Sequence, residues 1–564
     1  MLEQQLQEIL RKAVFSATGQ HEEILLEIPK HQEHGDFATP VAMKIGKQQG
    51  KNPRNIAEEI LNHIPQTPLI QKGEIAGPGF LNIMLSPQSV AEELTTFDPT
   101  KTLQTETPKK ITVEFGNPNI AKPLHFGHFR GLIIGESLAR ILRFTGHDVL
   151  TDNFIGNWGT QFGKLIVAIR KWGNREEIDK NPTEELVKLY RKFHAELETH
   201  PELEKEGAEE FRKMEQDRDE ENLKLWEWIV EESMKDFAKV ADRLGAHFDV
   251  IRGEAFYEQM LPDVLKRLEE SGVGTVEPSG AMVVHFPEET KLPTMIFRKS
   301  DGATLYQTRD LAKVVFYDGQ QFDEMIYVVA IDQSLHFRQF LETARMLGYS
   351  GTYIHVAHGM VRLPEGKMST RAGRAVGLEE VLDEAKKRSL DILESHNTEI
   401  VGGEKEQLAE IIAMGALKFN DLSQNRKTDI TFEWNRMLSF EGYSAPFLQY
   451  SAVRCKSILR KENLSSAPIP HDFSLPEQEE QILAKKILSF PRAVFEAEKT
   501  LEPHHLAQYL FELAGEFNRF YAVCSVLNAE SDSIKYRRLF LTNLTGKTLE
   551  QGLFLLGIQT PERM

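Results

Sequence analysis

Two histidines three residues apart, in His125-Phe126-Gly127-His128, open a segment that reads as a helix. That spacing puts both imidazoles on one helical face. A helix N-terminus offers free backbone N–H groups and the positive end of the macrodipole, and both attract phosphate. Gly127 carries no side chain, so a flat ring could lie against the backbone there. The set suits a nucleoside triphosphate whose transferring phosphorus needs hydrogen-bond donors. The bland alternative is a surface or metal-binding histidine pair. A metal would want a third ligand, and Glu114 is the only obvious carboxylate nearby. A second segment, Gly366-Lys367-Met368-Ser369-Thr370-Arg371, continues as Ala372-Gly373-Arg374 and holds three cations, two hydroxyls and two glycines in nine residues. It reads as a mobile, phosphate-seeking loop, or more blandly as a solvated basic turn.

The elements around these residues alternate strand, loop and helix. Ile111 to Phe115 predicts a strand, Gly116 to Leu124 a Gly/Pro-rich loop, and His125 to about Thr145 a helix, with a second strand at Asp148-Val149-Leu150. A matching half follows at Met325 to Ala330 (strand), His336 to Leu347 (helix) and Tyr353 to Val356 (strand). This is the pattern of a doubly wound, Rossmann-like parallel sheet. Between the halves, 183–244 reads as a charged helical insertion whose apolar face would come from Trp226, Trp228, Ile229 and Met234. Residues up to 97 read as a small α+β unit, with an extended Ile24 to Ile28 and a Gly77-Pro78-Gly79 turn before an alternating strand. The polar stretch 98–109 is a linker, and from Leu378 onward helix follows helix. The expected organisation is therefore an α+β unit over 1–97, a parallel-sheet α/β unit over 110–377 and an all-α unit over 378–564.

Composition narrows the class. With 564 residues, 41% of them hydrophobic and 27% charged, the chain can bury several cores. It has no apolar run long enough to span a membrane and no secretory leader pattern, so a cytoplasmic protein is expected. Two cysteines, Cys455 and Cys524, cannot make a disulfide framework or a four-cysteine zinc site, although one disulfide between them stays open. The net charge of -18 argues against a coat-like nucleic-acid binder but leaves room for RNA bound through local patches.

The two signature segments together resemble the HIGH and KMSKS motifs of class I aminoacyl-tRNA synthetases. Other segments sharpen the match: Asn153 to Gly163, Lys299 to Leu311, Asp332 to Phe337, Glu441 to Tyr450, Gly35-Asp36-Phe37-Ala38, and the end Pro561-Glu562-Arg563-Met564. In this order, and over essentially the whole chain, they resemble the arginyl-tRNA synthetases of bacterial type. One departure is that Thr370 stands where KMSKS has its second lysine; Lys122, just before the histidine motif, could supply the missing charge.

The resemblance implies a two-step ligase that makes arginyl-adenylate from arginine and ATP with Mg²⁺, then charges tRNA(Arg). It implies that His125, Gly127, His128, Lys367, Met368 and Ser369 hold ATP, with His125, His128, Lys367, Arg371 and Lys122 acting on the phosphates. Glu114, Asn117, Asn119, His125, Tyr306, Asp310 and Gln333 would hold arginine. A planar cation with five donors asks for carboxylates and neutral acceptors, which Tyr306, Asp310 and Gln333 supply. The alternatives are an Asp310 cap or ion pair with Arg309 or Lys313, and a surface amide at Gln333. For tRNA, Phe80 and Asn82 would meet the D-loop, while Tyr450, Tyr521 and Met564 belong to the helical anticodon unit. Lys418, Tyr443, Gln449, Arg454 and Lys535-Tyr536-Arg537-Arg538 add further cations and rings there. No protein-bound zinc is expected, activation is implied to need bound tRNA, and a monomer is expected. Competing readings are a catalytically silent tRNA-binding relative, a small-molecule adenylyltransferase, and a synthetase for another amino acid. The first would have lost the histidines or substrate acids, the second has no need of a helical C-terminal unit, and an acidic pocket disfavours glutamate in the third.

Overall fold

The computed structural model describes residues 2–29, 31, 34–120, 124–362, 377–395, 400 and 402–564. Strand β1 (Lys110–Glu114) buries Ile111, Thr112, Val113 and Glu114 on both of its faces. A β-branched strand covered on two sides belongs at the middle of a parallel sheet. The sheet also contains β2 (Asp148–Ile155), β3 (Val250–Gly253), β4 (Glu324–Ala330) and β5 (Thr352–His358). Its order is β5-β4-β1-β2-β3, and every pairing is parallel.

Helix α1 (His128–Phe144) connects β1 to β2. Helix α2 (Tyr306–Asp318) precedes β4, and α3 (Ser334–Met346) connects β4 to β5. The chain thus leaves β1 toward one edge of the sheet and β4 toward the other. The two adjacent strands part company at their carboxyl ends, which is where doubly wound sheets leave a ligand crevice. Gly116 (φ +93°) and Asn117 (φ +48°) turn the chain off β1 at that point. A non-glycine residue with positive φ needs support. Asn117 finds it on β2, donating its N–H to Asn153 Oδ1 (3.1 Å) and accepting from the Phe154 N–H (3.3 Å).

Between β2 and β3 stand the helices Thr160–Trp172, Pro182–Glu196, Glu202–Arg212 and Glu220–Arg243. Phe162, Phe193 and Ile229 form their core, with Trp226, Trp228 and Met234 packed against it, and Trp226 donates to the Asn157 carbonyl (2.7 Å). An antiparallel sheet of three short strands, Gly274–Val276, Met282–Val284 and Met295–Arg298, precedes α2.

The N-terminal unit sets helices Leu2–Thr18, Val41–Gln49, Pro53–Asn62 and Pro87–Thr96 around an antiparallel sheet. The extended stretch expected at Ile24 to Ile28 makes one bridge, Glu27 to Ala38, and forms no strand among the described residues. C-terminally, Leu378–Ser395, α4 (Gly403–Leu422), Ala445–Lys461, Gln478–Leu488, Phe490–Thr500, His504–Val523 and Asp532–Leu555 are helical. Cys455 and Cys524 are both free thiols and both buried. Among the described residues, no helix is long and apolar enough to cross a membrane.

Candidate active site

The expected helix start at His125 lies three residues early. His125 makes a bridge to Gly377, and α1 begins at His128, whose N–H donates to the His125 carbonyl (3.0 Å). The two imidazoles still meet, with ring centroids 4.0 Å apart and planes tilted by 41°. The Gly127 N–H donates to His125 Nδ1 (3.1 Å), and a Cβ at 127 would sit 2.8 Å from that ring. Glycine is therefore what lets the first imidazole fold over the helix start. Burial, reinforced by the neighbouring His125, lowers the His128 imidazole to about 4. At neutral pH it is an uncharged hydrogen-bond donor or acceptor rather than a cation.

At the carboxyl end of β1 lies a buried set of charges. Glu114 ends β1, beside Asp152 on β2 and Tyr327 on β4. Lys313 of α2 places Nζ 2.6 Å from Glu114 Oε2 and 3.3 Å from Asp310 Oδ1. The other oxygen of Asp310 lies 2.7 Å from His336 Nε2 on α3, and the other oxygen of Glu114 accepts from Asn117 Nδ2 (3.3 Å). Of the two ion pairs considered for Asp310, the one with Lys313 forms; Arg309 pairs instead with Glu258 (2.5 Å). Asp152 accepts from the Tyr317 hydroxyl and lies 3.7 Å from Arg252. Burial pushes Glu114 up to about 7 and also raises Asp152. It pushes Glu254, near Arg309 and Asp310, up to about 7 as well. Carboxylates outnumber cations in this cluster: Glu114, Asp152, Glu254, Glu258 and Asp310 stand against Arg252, Arg309 and Lys313. A cluster of this composition favours a cationic guest.

The remaining residues ring the opening. Tyr306, the first residue of α2, is exposed and holds its ring 4.7 Å from that of His336. Gln333 is exposed at the end of the short turn joining β4 to α3. Asn119 is exposed on the β1 loop, bridged to Gly156. The structure thus brings Glu114, Asn117, Tyr306 and Asp310 into one contact network through Lys313 and His336. Neither of these two was singled out from sequence as a site residue. Lys313 was legible only as a neighbour of Asp310 at helical spacing; its bond to Glu114 depends on how α2 lies against the sheet. Lys122, Lys367, Met368, Ser369, Thr370 and Arg371 lie outside the described residues.

The residues expected at tRNA divide. Phe80 begins the strand Phe80–Leu85 and is partly exposed, but Asn82 is buried within that strand. Tyr450 is 44% exposed, and Arg454 lies 4.3 Å over the half-buried Tyr521 ring. Met564 packs half-buried against the helical core. Lys418 and Gln449 are buried, hydrogen-bonding the carbonyls of Gly557 and Gln559, so neither faces a ligand. The basic patch is largely spoken for within the chain: Arg537 and Arg538 share Glu480, and Lys535 pairs with Glu462 (2.6 Å).

A parallel sheet with a switch point at β1 and β4, a histidine pair at the start of the first helix and a helical C-terminal unit are the parts of a class I aminoacyl-tRNA synthetase. The family model described as "tRNA synthetases class I (R), catalytic domain" matches residues 92–434. "Arginyl tRNA synthetase N terminal domain" matches 1–85, and "DALR anticodon binding domain" matches 448–564. The arginine–tRNA ligase of Fusobacterium nucleatum is 41% identical over 96% of this chain and 95% of its own length. That of Halothermothrix orenii is 40% identical over 96% of each. The solved arginyl-tRNA synthetase of Thermus thermophilus superposes with a TM-score of 0.85 at 26% identity, covering all of both chains. The chain belongs to the arginyl-tRNA synthetase family.

Proposed function

We infer that this arginine–tRNA ligase activates L-arginine with ATP at the β1–β4 crevice and transfers it to the 3′ end of tRNA(Arg). The observation that carries the reading is the buried, carboxylate-rich cluster at the carboxyl end of β1, with Glu114 and Asp310 joined through Lys313. Glu114, with Asn117 and Asn119, takes the α-ammonium and carboxylate side of arginine. Asp310, Tyr306 and Gln333 take the guanidinium. A lysine competitor would leave acceptors meant for a planar fork unpaired.

The arginine carboxylate is already a nucleophile, so activation needs no strong base. It attacks the α-phosphorus of ATP, an acyl–phosphate bond forms as the bond to pyrophosphate breaks, and the ribose 2′-hydroxyl of the terminal adenosine then displaces AMP. Positioning and charge stabilisation supply the rate. His125 and His128 donate N–H groups to the phosphates, with the ring contact over Gly127 fixing their relative placement. Mg²⁺ arrives with ATP as part of the substrate. From their sequence alone we assign Lys367 and Arg371 to the leaving pyrophosphate, with Met368 and Ser369 beside ATP and Lys122 offsetting Thr370.

We propose the three units 1–97, 110–377 and 378–564 as D-loop, catalytic and anticodon parts. Tyr450 and the Arg454–Tyr521 stack present rings to the anticodon, and Phe80 faces the D-loop. Glu3–Arg492 (3.2 Å) and Asp36–Lys485 (2.8 Å) join the first and last units within the chain, which we propose acts as a monomer. The two reduced thiols fit a cytoplasmic setting.

Asp310→Ala tests the pocket. Arginine-dependent activation should be abolished while tRNA binding stays nearly intact. Unchanged arginine affinity would remove the assignment.

A further inference from the structure

Lys313 is almost fully buried in the crevice, with 1% of its side chain accessible against 13% for Asp310. An ammonium has three protons and no acceptor. Here two of its neighbours are the carboxylates already described, and its remaining side faces the Phe154 ring, 3.8 Å from the centroid, with Tyr327 at 5.2 Å. A cation over an aromatic face is a favourable desolvated contact. The same ammonium therefore holds one oxygen of Glu114 and one of Asp310 from below. The opposite oxygens meet Asn117 Nδ2 and His336 Nε2, and each keeps a second lone pair with which to accept from a ligand.

We propose that Lys313 is a positioning and specificity-determining residue, a resident counter-ion that eases ionisation of Glu114 beside an anionic Asp310 and holds both turned toward the two cationic ends of arginine. This rests on the reading that those two carboxylates bind the substrate. Two carboxylates in one water-poor site cannot both ionise unaided, and one of them takes up a proton. The charged and titratable surroundings do not replace the lysine. On β2, Asp152 is a further acid, one oxygen of which accepts from Tyr317 of α2 and lies 3.7 Å from Arg252 of β3. Tyr327 of β4 and the nearby Tyr257 are held neutral by burial. On α3, His336 reaches Asp310 only, and Arg309 is committed to Glu258, beside Glu254. Lys313 alone touches both acids among the described residues. Bonded to both acids, it lowers the cost of a doubly anionic site. A neutral amino acid, or a neutral isostere of arginine such as citrulline, would leave one anion unpaired.

The test is steady-state aminoacylation by the full chain with tRNA(Arg) across pH 6 to 9. In Lys313→Met, the KM for arginine should rise at least tenfold at pH 7 with kcat at saturation within a few-fold. The pH at which that KM levels off should move up by at least one unit, because the acids now ionise later. Lys313→Arg, which keeps the charge, should retain the wild-type pH profile. A merely structural lysine would lower the active fraction at every pH without moving the profile. Should Lys313→Met fail to fold, Lys313→Gln is the neutral variant to compare with Lys313→Arg. Neutral variants with wild-type arginine KM and profile, in an enzyme that charges arginine normally, would overturn this proposal and leave the assigned activity standing. A wild-type chain that does not charge arginine would overturn both.

Discussion

At the scale of single residues the site works by keeping opposite electrostatic states close together. A buried ion network joins Glu114, Lys313 and Asp310, while burial keeps the His128 imidazole near 4 and so uncharged at neutral pH. In the proposed role His128 directs an N–H at phosphate, and removing it should cost transition-state stabilisation rather than fold. His128→Ala should lower adenylate formation by about 10²-fold, the usual loss for one preorganised donor, with an unchanged melting temperature. The sign of its pH dependence follows. A group that loses its proton near 4 stays neutral from pH 6 to 8, so kcat at saturating arginine should be flat there. A fall toward alkaline pH with a midpoint near 6.5 would mean that His128 acts as a cation. The histidines, Glu114 and Asp310 were legible in the sequence because their motifs are local. Lys313 was not, because Glu114 sits on β1 and the lysine on α2, and only packing joins them.

At the scale of elements, α1 ties the crevice to the rest of the molecule. Gly135 lets it lie on Phe115, where any Cβ would collide with the ring. Ser137 donates to the Leu555 carbonyl (3.1 Å), and Arg130, two residues beyond His128, is fully buried against Asp421 of α4 (2.9 Å) and the Thr428 carbonyl (2.7 Å). Removing one member of a buried ion pair strands the other and costs about 3–5 kcal/mol. Arg130→Met should lower stability by about that much at pH 7.5. Burial pushes Asp421 up to about 6, against an ordinary value of 3.8. Its folded form therefore takes up a proton more readily than the unfolded chain, and its contribution to stability grows as pH falls from about 6 toward 4. The loss in Arg130→Met should be smaller at pH 5 than at pH 7.5, as read by urea denaturation; an equal loss at both would contradict this account of the pair.

The elements themselves were unevenly legible. β1, α1 and β2 announce themselves by a β-branched run, a Gly/Pro loop and a helical period. The start of α1 was read early because the His125 ring sits against the Gly127 N–H in a turn that precedes the helix. The antiparallel sheet before α2 escaped because its strands are three to four residues long and carry no sustained alternation.

At the scale of the whole molecule, the N-terminal sheet, α1 and the C-terminal helices share one hydrophobic core. His147, just beyond α1, lies 2.8 Å from Glu498 in the helix Phe490–Thr500. Movement of the helical unit therefore bears on the element that carries the histidines. What the sequence could not separate was a cation facing solvent from one already paired. Lys418 and the Arg537–Arg538 pair look alike as letters to a free basic residue, yet the first is buried and the others share Glu480. The net charge of -18 is thus arranged around local pairings, and the sum says little about where RNA docks.

The most direct measurement of the central claim is ATP–pyrophosphate exchange by the full chain against each proteinogenic amino acid, with and without tRNA(Arg). Exchange should be supported by L-arginine when tRNA(Arg) is present and by no other amino acid at comparable concentration. Exchange driven equally by a neutral or acidic amino acid, or none with arginine under any condition, would contradict the assignment of this crevice to arginine and ATP.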